Sequence, residues 1–271
     1  MVNPQSLTGA LLAQDILQSV KTIFSKPDSD FFIELNEGSP PGHASSRIFK
    51  GDLSITISRD LAKAEISDIN LFTLVAFTIC HEIAHCLGGH LKVIDKSILD
   101  SKSIEAHADY IGARLMSWYF GTLPDNDKIN NLEFYKSFRD DPFHQLTDAF
   151  LYIKKYTFDM EGMGRYPTNG YRLTLIIGGV YSYLARIGVL NRNILHLMAK
   201  TILRSGISSS EAFSAMINSN SNAQVQVNLQ QLVDDGLTDK ATNLREIKVE
   251  YWFLFATHQQ IQSIVDQQVL Q

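Results

Sequence analysis

Residues 67–88 constrain this chain more than any other segment, because the apolar stretch Leu71–Cys80 runs directly into His81-Glu82-Ile83-Ala84-His85. The pattern predicts one α-helix. Histidines four apart on a helix are separated by about 40° around its axis, so both imidazoles reach one point on one face. Such nitrogen ligands suit zinc. Glu82 lies about 100° round from His81, near enough to reach a water on that ion without displacing it. Two ligands beside a general base form the arrangement a metallopeptidase requires.

Catalytic zinc usually takes a third protein ligand, and Ser103-Ile104-Glu105-Ala106-His107-Ala108-Asp109 supplies candidates about twenty residues on. Glu105 and Asp109 are one helical turn apart and share a face beside the apolar stripe Ile104, Ala108, Ile111 and Leu115, whereas His107 lies about 200° round from Glu105. Glu105 is therefore the expected third ligand. Asp109 is the expected carboxylate that accepts a ligand histidine's N–H and fixes its tautomer. His107 is expected to point elsewhere, as a structural or exposed residue. His90 is expected to pack or to support the site from behind the ligands.

His81-Glu82-Ile83-Ala84-His85 followed by Gly89-His90, with Glu105 and Asp109 inside a Glu-x-x-Ala-Asp segment, resembles the gluzincin metallopeptidases. The likeness is to the CAAX-prenyl-protease type and its soluble relatives, which include phage-exclusion peptidases. Arg165-Tyr166-Pro167-Thr168-Asn169-Gly170-Tyr171-Arg172 is similar to their downstream Thr-His-Pro segment ending in Arg. Tyr166 stands where those families usually carry His. The resemblance covers roughly residues 50–187. It implies an α+β, predominantly helical fold, with a minimal zincin core whose small β-sheet packs beside the metal-binding helices, followed by additional helices. It also implies that Tyr166 or Arg172 stabilises the oxyanion. For Arg172 two other roles stay open: holding its segment against the active-site helices, and a salt bridge to a helix carboxylate.

Local patterns agree with that fold class. Leu7, Leu11, Leu12, Ile16, Val20 and Ile23 predict a helix over 5–25. Phe31–Leu35 and Leu53–Ile57 read as strands on either side of a Gly-Pro loop. Helical patterns follow at about 67–88, 101–120, 142–158, 170–187, 192–204, 208–217 and 238–268, with Ser208 and Glu211 in capping-box spacing. A peptidase domain over 1–190 and a helical extension over 191–271, packed on the core, are the expected organisation.

The 271 residues carry a net charge of −5, with Lys and Arg scattered, which argues against nucleic acid as the principal partner. The hydrophobic share of 45% and charged share of 20% belong to a globular chain. Asp15 interrupts the apolar start, so no signal peptide is expected, and Leu71–Cys80 is shorter than the roughly 20 residues a bilayer requires. Cys80 and Cys86, six apart on one helix, point in different directions and are expected as buried thiols of a cytoplasmic protein. His43, His144, His196 and His258 lack ligand spacing. The tyrosine, tryptophan and phenylalanines at 251–255 are expected to pack in the core.

The expected activity is zinc-dependent hydrolysis of a peptide bond in an intracellular protein, with zinc on His81, His85 and Glu105. Glu82 would take a proton from the attacking water and deliver it to the leaving amine. The strand Leu53–Ile57 is expected to pair with the extended substrate. Two competing readings are a catalytically silent metal-binding sensor on the same fold and a helical interaction protein with a chance motif. Intact Glu82 speaks against the sensor, since a structural zinc has no need of a general base.

Overall fold

The computed structural model describes residues 6–24, 33–49, 52–92, 98–123, 126–140, 142–158, 168–189, 192–205 and 247–255. These form the expected α+β fold, predominantly helical with one small sheet. Helix α1 (Gly9–Lys21) begins where the Thr8 hydroxyl accepts the Leu11 N–H, and it buries Leu12, Ile16 and Val20 on its inner face.

The sheet consists of β1 (Ile33–Gly38), β2 (Ala44–Phe49) and β3 (Asp52–Ser58) in the order β1-β3-β2. β1 runs parallel to β3 and β2 antiparallel to it. This corrects the expectation for Leu53–Ile57. That strand is paired on both sides, so its backbone has no edge to offer a substrate. The edge strands are β1 and β2, and β2 is the one the sequence pattern does not announce, because Ala44-Ser45-Ser46-Arg47 lacks the alternation that marks Ile55 and Ile57 as core residues. Ser58 then caps the short α2 (Arg59–Lys63) by accepting the Leu61 N–H.

Asp68 starts α3 (Ile69–Leu87), its Oδ1 accepting the Asn70 and Leu71 N–H groups at 2.8 and 2.9 Å. Every residue from Phe72 to Leu87 is buried, so α3 is the central helix of the fold. By length and composition α3 could cross a bilayer, yet 89% of that window is buried inside the protein. Cys80 and Cys86 are buried free thiols, and burial pushes both pKa values up.

Helix α4 (Ile98–Thr122) packs along α3, and α8 (Asn169–Arg186), capped by Thr168, packs along α4. Between them lie α5 (Asp127–Asn130), α6 (Glu133–Asp140) and α7 (Pro142–Ile153). The helix expected to 158 changes pitch after Ile153 into a π-helical turn over Lys154–Phe158. In α9 (Arg192–Arg204), Thr201 is hydrogen-bonded to Thr147 at 3.2 Å and Arg204 pairs with Asp148 at 2.7 Å, which seats α9 on α7. Ile247 bridges to Phe24, and Tyr251 lies edge-on to Trp118. Residues 249–254 form a 3-10 helix where an α-helix was expected. The expected helix at 208–217, its Ser208–Glu211 capping box and the remainder of 238–268 lie outside the described residues.

Candidate metal centre

The last two turns of α3 begin the site. His81 Nε2 and His85 Nε2 converge to 3.0 Å, as the four-residue spacing predicts. Glu105 Oε2, from α4, lies 3.3 Å from His81 Nε2 and 3.6 Å from His85 Nε2. Ligand atoms on a tetrahedral ion with bonds of about 2.0–2.1 Å lie about 3.3 Å apart, so this triangle has the size of one face of such a shell. Among the described residues, these three form the group whose ligand atoms could hold a metal ion.

α4 comes close enough because of Gly112. A Cβ there would fall 2.8 Å from His81 Cα, so the two backbones touch at the first ligand. The one-turn spacing of Glu105 and Asp109 then aims both carboxylates at α3. Asp109 is fully buried, with Oδ1 3.0 Å from His81 Nδ1. It also accepts two hydrogen bonds from Arg172 on α8, from Nε at 2.7 Å and Nη2 at 2.9 Å. The Arg172 guanidinium lies 4.0 Å from the centre of the Phe158 ring. The π-helical turn therefore places an aromatic floor under the buried cation.

Electrostatics follow from this packing. Burial disfavours an imidazolium at His81, but the hydrogen bonds and charges of Asp109 and Glu105 outweigh it and push its pKa up to about 10. Burial likewise opposes ionisation of Glu105, yet His85 and His81 hold its carboxyl well below the usual range. At Asp109 burial is overcome by Arg172, and the pKa is lowered.

Glu82 is buried and lines a cleft of about 170 Å³ together with His81, His85, Glu105 and Arg172. That volume admits a side chain or a few waters. Pro41–Ser46, the loop before β2 and its first three residues, form another wall of the cleft. His43 fixes this wall to the π-helical turn by donating from Nε2 to the Tyr156 carbonyl at 2.8 Å. Sequence spacing gave His43 no function, because its partner is a backbone oxygen 113 residues away.

The structure thus brings together His81, Glu82, His85, Glu105, Asp109 and Arg172. Arg172 borders the cleft, and its Nε and Nη2 protons go to Asp109, which is the salt bridge to a helix carboxylate left open above. Tyr166 lies outside the described residues. His107 does point away from the ligand triangle, but it is buried, with Nδ1 2.8 Å from His90 Nε2. His90 Nδ1 in turn lies 3.0 Å from His85 Nδ1. Burial pulls the pKa of His90 well down, helped by the neighbouring His107 and His85, and that of His107 to about 3, helped by His85 and Arg114. Compared with known proteins, the chain matches no family model, no curated protein and no solved structure.

Proposed function

We propose that the chain is a zinc-dependent endopeptidase of the gluzincin type, acting on an extended segment of an intracellular protein. The observation that carries the reading is the His81–His85–Glu105 triangle with Glu82 beside it in a cleft walled by an edge strand. Zinc is the metal favoured by two imidazoles and one carboxylate at these spacings, with a coordination position left for water. When bound there it would supply Lewis acidity, acidifying a water and polarising the scissile carbonyl.

The protein's own groups do the rest. β2 offers its edge to an extended peptide, which adds as a further strand and lays one carbonyl across the cleft. Glu82 takes the proton of the attacking water and returns it to the leaving amine. Asp109, held by Arg172, accepts the Nδ1–H of His81 and keeps Nε2 directed at the metal. Arg172 is thus a positioning residue, and Tyr166 remains the proposed donor to the oxyanion.

The test compares wild type with Glu82→Gln and Glu105→Ala. Zinc content is expected to persist in E82Q and to be lost in E105A. Terminal proteomics of cells expressing wild type should show cleavages that fall on the order of 10²–10⁴-fold in E82Q. Undiminished cleavage by E82Q would overturn the mechanism, and zinc binding by wild type with no cleavage of any protein would favour a metal sensor instead.

A further inference from the structure

The two ligand histidines are oriented by different chemistry. His81 faces the carboxylate of Asp109, whereas His85 faces another imidazole. α3 ends at Gly88, and Gly89 takes a left-handed φ of +67°, which turns the chain back so that His90 lies buried against the last turn. Gly88 leaves room for it: a Cβ there would fall 2.6 Å from His90 Nε2 and 2.9 Å from the Ala84 oxygen. His90 then joins His85 to His107 through two nitrogen-to-nitrogen contacts, of 3.0 and 2.8 Å, with rings steeply inclined at 80° and 69°.

A neutral imidazole carries one N–H and one acceptor nitrogen, and each of these contacts requires a proton on one side only. His90 makes the two contacts through its two different nitrogens, so with one N–H and one acceptor on that ring the two hydrogen bonds run in the same direction. In one direction His85 Nδ1–H donates to His90 Nδ1, and His90 Nε2–H donates to His107 Nδ1. In the other, His107 donates to His90 and His90 to His85, which leaves the His85 proton on Nε2, in the ligand triangle. The far end does not choose, because His107 Nε2 is buried and has no hydrogen-bond partner among the described residues.

We propose that His90 and His107 form a tautomer relay that accepts the His85 Nδ1 proton when a metal binds and so leaves the His85 Nε2 lone pair free for it. Both act as positioning residues. The inference rests on the metal-centre reading above and adds to it that metal binding sets the direction of hydrogen bonds as far as His107, two contacts from the ligand. The alternate tautomer competes with the ion, so a residue at position 90 that cannot accept from His85 weakens binding although it touches no metal.

The experiment measures zinc affinity of the full chain by competition with a chromogenic chelator, for wild type, His90→Leu, His90→Asn and His107→Leu, with folding checked by circular dichroism. The Asn Oδ1 stands where His90 Nδ1 accepts, so H90N should recover most of what H90L loses. The expected loss in H90L is about 10–100-fold, with a smaller loss in H107L. Long-range proton–nitrogen NMR of zinc-loaded wild type should place the protons on His85 Nδ1 and His90 Nε2. Zinc affinity of H90L within twofold of wild type, equal losses in H90L and H90N, or a proton on His90 Nδ1 would each overturn the relay. If H90L does not fold, the wild-type NMR assignment decides. Failure of wild type itself to bind zinc would instead overturn the metal centre, and the relay with it.

Discussion

Asp109 serves two partners at once, since its carboxylate lies 3.0 Å from His81 Nδ1 and accepts two hydrogen bonds from Arg172. All three groups are buried. Removing one charge strands the other away from water, so Asp109→Asn and Arg172→Met should each destabilise the fold by about 3–5 kcal/mol. The double variant should recover part of that loss, as urea denaturation would show. Strictly additive losses would mean that the pair is not coupled. Asp109→Asn should also weaken zinc binding by about 10–100-fold. His81, His85, Glu105 and Asp109 were legible in the sequence because each pair obeys a one-turn helical spacing. The Arg172 partnership spans 63 residues and the His90–His107 contact depends on a glycine turn, and neither follows from local spacing.

At the scale of elements, the site depends on how closely α4 approaches α3. In Gly112→Ala the added Cβ meets the His81 backbone, which cannot swing aside as a flexible side chain would. The expected outcome is a stability loss of about 1–3 kcal/mol, together with weaker zinc binding as Glu105 is displaced from the two histidines. Thermal melts with and without zinc would separate the two effects, and unchanged zinc affinity would show that the approach is not needed for ligation. The long helices were legible because their apolar periodicity is strong and their caps are local. β2 was not, because a strand built from Ala44, Ser45, Ser46 and Arg47 owes its existence to pairing with β3 rather than to its own pattern. The π-helical turn at Lys154–Phe158 was hidden for a similar reason: its partners, His43 and Arg172, come from distant elements.

Across the described residues, one continuous core joins α1, the sheet, α3, α4, α7 and α8, and the candidate ligands are drawn from α3 and α4. A metal bound only by the folded state stabilises it by mass action, by about 2.7 kcal/mol at a hundredfold excess over the dissociation constant. Chelation should therefore lower the midpoint of thermal unfolding by about 5–10 °C for a chain of this size, with recovery on adding zinc. E105A should show neither the drop nor the recovery. A wild-type midpoint indifferent to chelator would mean that the triangle holds no ion under those conditions. The α+β class was readable from the sequence as a whole. The closure of the molecule was not, since the contact of Lys248 Nζ with the Thr22 carbonyl at 2.8 Å joins segments 226 residues apart.

The strand order β1-β3-β2 has a consequence for how the cleft comes into being. β1 and β2 are made first, yet neither has a strand to pair with until β3 inserts between them. The native pairing of both neighbours therefore needs the chain through residue 58, and the sheet is completed by its last-made member. A lesion in β3 would release both neighbours together, so the strand paired on both sides governs whether the sheet has an edge beside the cleft at all.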